Sequence, residues 1–208
     1  GSRFDYSRVD TFGITYMRLT TLKSDTKSLK PVLFLDRDGV VNIDYGYVHS
    51  SEQFDFKPGI FNLVSEAKLK GFNCILVTNQ AGIGRGIYST NQFRELSNWM
   101  CKRFNEESAC IDAIYYSPYH PTEAIGKYLR YEDTRKPGNG MFLEAISDFN
   151  IDLSNSIMVG DSLTDMVASV KSKVARNYLL SSDPFLRLTD DLKDHVSKIA
   201  DFAEITFN

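Results

Sequence analysis

Four short stretches hold most of the side chains that could do chemistry. Asp36-Arg37-Asp38-Gly39 sets two carboxylates two residues apart, and Thr78-Asn79-Gln80 sets a hydroxyl ahead of two amides. Arg135-Lys136-Pro137 offers two cations, and Gly160-Asp161-Ser162-Leu163-Thr164-Asp165 offers two more carboxylates. Each stretch has an ordinary reading alone. Asp and Gly are common in solvated turns, Thr78, Asp161 or Ser162 can serve in a helix cap, and a charged loop can precede a proline that opens a helix. Together they suit one kind of reaction. A phosphomonoester is anionic and resists an anionic nucleophile. Its cleavage needs a nucleophile, a neutralising cation, donors for the phosphoryl oxygens and an acid for the departing alkoxide. Magnesium prefers oxygen ligands and keeps waters, so two or three carboxyl or carbonyl oxygens suffice to hold it.

For the four stretches to meet, each must stand where an element ends. Val32-Leu33-Phe34-Leu35 is a continuous apolar run, as expected of a strand buried on both faces, and Asp36 follows it directly. Further strands are expected over 73–77, 111–116, 156–159 and 175–180. Helices are expected over 58–70, 137–149, 163–171 and 190–202. Another opens at Ser89, where Ser89 and Gln92 have capping-box spacing and Phe93, Leu96, Met100 and Phe104 follow at helical period. A long polar loop fills 117–135. This alternation predicts an α/β fold: a Rossmann-like, doubly wound parallel sheet with helices on both faces. Ligands in such sheets sit at the carboxyl ends of the strands, which is where the four stretches fall.

Composition narrows the classes. A chain of 208 residues, 42% hydrophobic and 25% charged, suits one soluble globular core. A net charge of −3 argues against a nucleic-acid partner, and no apolar run approaches the roughly 20 residues that span a bilayer. Cys74, Cys101 and Cys110 form no C-x-x-C pair and are expected to be reduced thiols of a cytoplasmic protein. Gly1-Ser2 reads as a cleavage scar. Residues 1–30 are expected to be an extension, partly vector-derived or poorly ordered, ahead of a catalytic domain over 31–208. A monomer is expected.

Asp36-x-Asp38-Gly39, Thr78, Lys136 and Gly160-Asp161-x3-Asp165 resemble, in order, the four motifs of the haloacid dehalogenase phosphatases. The resemblance implies that Asp36 attacks phosphorus and becomes an aspartyl phosphate. Asp38 then acts as acid and base, Thr78 donates to the phosphoryl group, and Lys136 holds the anionic pair together. It implies magnesium on Asp36, the Asp38 carbonyl and Asp161, with Asp165 orienting its neighbours. The short interval from Asp36 to Thr78 leaves no room for a helical cap domain. Longer matches, among them Asn42 to His49, Thr78 to Gly86 and Arg135 to Met141, point to the branch that acts on heptose bisphosphates, close to the histidinol-phosphate phosphatases. They imply a phosphorylated sugar as partner, with Asp44, Tyr45, Gly46, Tyr47, Asn79, Gln80 and Arg135 as substrate contacts. An ordinary surface hairpin is the plain alternative for Tyr45 and Tyr47. Histidinol-phosphate phosphatase, polynucleotide 3′-phosphatase and an inactive binding module remain open. The branch commonly carries a zinc in the loop before Arg135, but the matching positions here, Ser117, Tyr119, Glu132 and Thr134, include no thiolate. Zinc is therefore expected to be absent, with the 118–134 loop held instead by packing of Tyr116, Tyr119, Tyr128 and Tyr131. His120 is expected at the surface or substrate rim.

Overall fold

The structure is a computed structural model that describes residues 4–5, 15–19 and 28–207. Its strands and helices follow one another as β1 (Phe4–Asp5), β2 (Thr15–Leu19), β3 (Val32–Leu35), α1 (Ile60–Leu69), β4 (Asn73–Asn79), α2 (Ala81–Gly84), α3 (Thr90–Glu106), β5 (Ala113–Ser117), α4 (Gly140–Asp148), β6 (Ile157–Gly160), α5 (Leu163–Lys171), β7 (Arg176–Leu180) and β8 (Val196–Ile199). They build one sheet in the order β1-β2-β5-β4-β3-β6-β7-β8. The six strands from β5 to β8 in that order run parallel, and β2 and β1 add an antiparallel edge against β5.

Strand period explains the two layers. Leu33 and Leu35 face α1 and α3 together with Leu76 and Ile114, whereas Val32 and Phe34 face α4 and α5 together with Ile75, Val77 and Met158. Both faces of β3 are covered, so all four of its residues are buried. The chain leaves β3 toward β4 and β5, then returns to pair β6 with the other side of β3. This reversal is a topological switch point, the place where an open α/β sheet forms a crevice. Register brings the ends level, since Leu35 pairs with Leu76 on one side and with Val159 on the other. Between Leu35 and α1 the chain forms only tight loops and a short 3-10 turn over Ser51–Gln53, so no separate domain is inserted there.

Several expectations need correction. Residues 190–202 are not a helix. They form turns, then β8, which pairs with β7 at the sheet edge, and a 3-10 turn begins at Phe202. Leu192, Val196 and Ile199 repeat at helical spacing, but β7 offers an open edge, and burying Val196 and Ile199 against it overrides the local pattern. The expected helix over 137–149 begins only at Gly140, because the preceding residues turn back, with Gly138 N donating to Arg135 O and Gly140 N to Asp133 O. The antiparallel edge had no forecast. Apart from these strand segments and residues 28–30, the expected extension over 1–30 lies outside the described residues. The capping box at Ser89 and Gln92 is formed and opens α3. Among the described residues, no helix is long and apolar enough to cross a membrane.

Candidate active site

Asp36 sits one residue beyond β3, tied to the neighbouring strand by its backbone N–H on Val159 O at 3.1 Å. Lys136 reaches it from the loop before α4. The buried ammonium has three donors and meets three acceptors: Asp165 Oδ1 at 2.5 Å, Val77 O at 2.8 Å and Asp36 Oδ1 at 3.0 Å. Asp165 is itself fixed by a capping box at the start of α5, with Ser162 N and Ser162 Oγ donating to Oδ2 at 3.0 and 2.7 Å. Asp161 completes the group, and oxygens of Asp36, Asp161 and Asp165 lie within 4.8 Å of one another. Gly39 makes this approach possible. Its φ is +85°, and a Cβ there would stand 1.8 Å from Asp161 Oδ2.

The charges do not balance. Burial pushes the Asp36 carboxyl up, Lys136 pulls it back, and Asp165, Asp161 and Asp38 push again, leaving it at about 8. Burial, followed by Asp165, carries Asp161 up to about 6. Burial alone would lower Lys136, but Asp165 and Asp36 together outweigh it and keep the ammonium charged. Three carboxylates around one ammonium leave excess negative charge and an all-oxygen donor set. That chemistry fits a hard divalent cation such as magnesium.

Asp38 is gripped from behind. Arg37, only 1% exposed, donates from Nη2 to both carboxylate oxygens at 2.9 Å and from Nε to Oδ1 at 3.2 Å. Asn42 Nδ2 reaches Oδ1 at 3.0 Å and Gln80 Nε2 reaches Oδ2 at 3.0 Å. Arg37 also donates to Val48 O at 2.7 Å, which anchors the loop carrying Asp44 to Tyr47.

A cleft of about 510 Å³ opens above Asp36, Asp38, Lys136 and Asp161. Of the residues read as substrate contacts, Asp44, Gly46, Tyr47, Asn79 and Arg135 line it. Asn79 exchanges two hydrogen bonds with the Lys136 backbone, both at 3.0 Å, and so fastens the lysine loop to β4. Tyr45 does not line the cleft. Its hydroxyl donates to Asp55 Oδ2 at 2.8 Å and its ring is exposed on the outer side of the loop, the plain surface reading. Thr78 and Gln80 are buried beneath the floor, joined by a bond from Gln80 Nε2 to Thr78 Oγ1 at 2.9 Å.

Sequence reasoning missed Arg37, Asn42, Arg85 and Tyr88. A charged residue between two motif aspartates gives no hint that it is buried. Arg85 carried a signal within its Gly-rich stretch: it lines the cleft, lies over the Tyr47 ring at 5.4 Å and pairs with Glu123. In the 118–134 loop, Tyr119 and Tyr128 pack with ring centroids 5.8 Å apart. Tyr131 is 77% exposed and Tyr116 packs on Phe93 in the core, so neither serves the loop as expected. His120 sits partly exposed and accepts the Glu123 backbone N–H at 3.0 Å.

Comparison with known proteins gives the family. The family described as Polynucleotide kinase 3 phosphatase matches residues 35–205. The D-glycero-beta-D-manno-heptose-1,7-bisphosphate 7-phosphatase of Vibrio cholerae is 44% identical over 73% of this chain and 81% of its own length. The D-glycero-alpha-D-manno-heptose-1,7-bisphosphate 7-phosphatase of Burkholderia mallei is 49% identical over 71% of this chain and 78% of its own length. The chain belongs to the haloacid dehalogenase phosphatases. Solved structures carry the same likeness. A Mesorhizobium loti protein described as a HAD-like phosphatase superposes with a TM-score of 0.83 at 26% identity, covering 96% of this chain and 92% of that one. The D,D-heptose 1,7-bisphosphate phosphatase of B. bronchiseptica, complexed with magnesium and phosphate, superposes at 0.69 with 25% identity, covering 83% and 94%. As a phosphatase of this superfamily, the chain places its nucleophile candidate beside its buried lysine at the switch point of the sheet.

Proposed function

We propose that this phosphatase is a magnesium-dependent phosphomonoesterase that removes the 7-phosphate of D-glycero-D-manno-heptose 1,7-bisphosphate in nucleotide-activated heptose synthesis. The observation that carries the reading is the cleft itself. Asp36, Lys136, Arg85 and Arg135 all line it. Burial and then the field of Arg85 push the Arg135 guanidinium below its ordinary value, the mark of two cations sharing one cleft. A substrate with two phosphates can set one beside Lys136 and the other beside Arg85 or Arg135.

In this reading Asp36 attacks phosphorus and forms an aspartyl phosphate. Asp38 protonates the departing sugar oxygen, then takes a proton from the water that hydrolyses the intermediate. Thr78 donates to the phosphoryl oxygens, and Lys136 holds Asp36 against the incoming anion. Asp36, the Asp38 carbonyl and Asp161 would hold magnesium, which neutralises charge on the phosphoryl group when bound. Asp165 positions Lys136. Asp44, Gly46, Tyr47 and Asn79 line the sugar's path, and Arg135 takes a phosphate oxygen. The catalytic unit spans 31–208 and acts as a cytoplasmic monomer.

The matched family description favours one second reading, a polynucleotide 3′-phosphatase. A phosphate-release panel decides between them, using heptose 1,7-bisphosphate, histidinol phosphate and a 3′-phosphorylated oligonucleotide, each with magnesium. The bisphosphate should give the highest kcat/KM, because its remote contacts can act at the transition state. A clear preference for either competitor sinks the proposed substrate.

Zinc is proposed to be absent from the 118–134 loop. Support comes from how the four positions are used. Ser117 Oγ and Thr134 Oγ1 are hydrogen-bonded at 3.2 Å, Arg130 lies 4.5 Å over the Tyr119 ring, and Arg130 pairs with Glu132 at 2.9 Å. Neutral hydroxyls are poor ligands for this ion. About one zinc per chain surviving dialysis in elemental analysis would overturn the proposal.

A further inference from the structure

Tyr88 lies between α2 and α3 and lines the cleft. Its hydroxyl donates to Gln80 Oε1 at 2.5 Å. The other end of the Gln80 carboxamide donates to Asp38 Oδ2 and to Thr78 Oγ1 at 3.0 and 2.9 Å. Gln80 is 1% exposed and Tyr88 5% exposed, so water offers neither group an easy substitute.

A buried carboxamide can face either way, and the two ways are chemically opposite. With Nε2 toward Asp38 the amide meets an acceptor. Turned over, it would set Oε1 against the Asp38 carboxylate and leave its NH2 facing the phenol. Burial raises the Tyr88 phenol well above its ordinary value, so its proton stays on and the hydroxyl donates. Direction then runs along the chain of bonds. Because Thr78 Oγ1 accepts from Gln80, the Thr78 proton is free to be donated elsewhere.

We propose that Tyr88 is a positioning residue: its hydroxyl locks the Gln80 carboxamide so that Thr78 presents its proton to the phosphoryl group and Asp38 stays in place. The inference rests on the roles of Thr78 and Asp38 proposed above. The ring is seated independently of its hydroxyl. It stacks on His49 with centroids 5.3 Å apart and planes 5° apart. It also rests on the α2 backbone so closely that a Cβ on Gly82 would stand 2.1 Å from it. Tyr88→Phe therefore removes the hydrogen bond and keeps the packing.

The test is a double-mutant cycle on magnesium-dependent phosphate release from a sugar phosphate. Tyr88→Phe should lower kcat about three- to tenfold, the size of one lost hydrogen bond, with KM little changed. In a Gln80→Met background, Tyr88→Phe should cost nothing more, because the residue acts through Gln80. His49→Ala controls for packing, since it removes the stacking partner and spares the hydroxyl. An unchanged kcat in Tyr88→Phe, an equal loss in both backgrounds, or an equal loss in His49→Ala would each overturn the assignment. Failure of the underlying reading looks different: the unaltered protein would release no phosphate, or Asp36→Asn would release it as fast.

Discussion

Two lysines lie among carboxylates at opposite ends of the same sheet. At the amino end, Lys68 closes α1 and places Nζ 2.7 and 3.0 Å from the two oxygens of Asp112, which also accepts Cys74 N at 2.7 Å. Burial alone would lower the Lys68 pKa, but Asp112 more than compensates, so the ammonium stays charged and the pair needs no further partner. At the carboxyl end, Lys136 faces Asp36 and Asp165, with Asp161 close by. The first region balances one charge with one charge and joins α1 to β4 and β5. The second gathers three carboxylates around one ammonium, and burial first, then the neighbouring carboxylates, push Asp36 and Asp161 up. An uncompensated cluster costs stability, and it persists where charge is to be supplied by a ligand. Ion pairing alone does not mark a site; imbalance does.

The largest expected effect tests that imbalance. Asp36→Asn should lower phosphate release by several powers of ten, each about 1.4 kcal/mol of barrier. Stability without metal should hold or rise, because one of the crowded charges is gone. Near-normal turnover would break the assignment of Asp36. The converse substitution lies at the other end of the sheet. Asp112→Ala leaves Lys68 unpaired and Cys74 N without its acceptor, which should cost about 2–4 kcal/mol in urea unfolding, since removing one partner of a buried pair is strongly destabilising. Turnover per folded molecule should stay unchanged. A large fall in kcat with intact stability would erase the distinction between the two regions.

Much of the carboxyl end was legible in the sequence and little of the amino end was. Asp36 and Asp161 follow strands whose apolar runs are readable, Lys136 precedes a helix marked by Pro137, and the sheet's topology brings strand ends together whatever their separation in sequence. Arg37 was illegible because burial of its guanidinium depends on Val48 O and the Asp38 oxygens, partners that exist only after folding. Lys68 and Asp112 are 44 residues apart and belong to no motif, so nothing marked them as a pair. β8 was lost for a related reason. Its pairing edge on β7 is a tertiary fact, and Leu192, Val196 and Ile199 alone spell a helix. Tyr45 and Tyr47 are neighbours of the same type, yet one turns to Asp55 and the other lines the cleft, because φ is positive at both Gly46 and Tyr47.

Magnesium sharpens the comparison at a smaller magnitude. A cation that binds only the folded chain stabilises it by about 2.7 kcal/mol at a hundred times its dissociation constant. Unfolding of the chelated protein, with magnesium then added back, should show an increment of that order. The increment should be mostly lost in Asp161→Asn and fully kept in Asp112→Ala. Loss of the increment in Asp112→Ala would mean that the two ends of the sheet are coupled.

The smallest effect is in pH. Asp161 ionises at about 6 in the folded, metal-free protein, above the 3.8 of an ordinary aspartate. Between those values the folded state holds a proton that the unfolded state has released, so stability must fall as pH rises. Below about 4 both states are protonated and no loss is felt; above about 6 the loss is complete. A two-unit shift corresponds to about 3 kcal/mol, and solvent in the open cleft should reduce it to about 1–2 kcal/mol. The measurement is the difference in unfolding free energy between the unaltered chain and Asp161→Asn, in chelator, from pH 4 to pH 7. The unaltered chain should lose ground as pH rises. Magnesium should reverse the slope, because it binds the deprotonated carboxylate. Lys68 supplies the contrast. Its pKa is raised above that of an ordinary lysine, so its contribution is complete below about 10.5 and lost only above it. A flat difference for Asp161→Asn would show that the crowding of carboxylates beside Lys136 does not act as described.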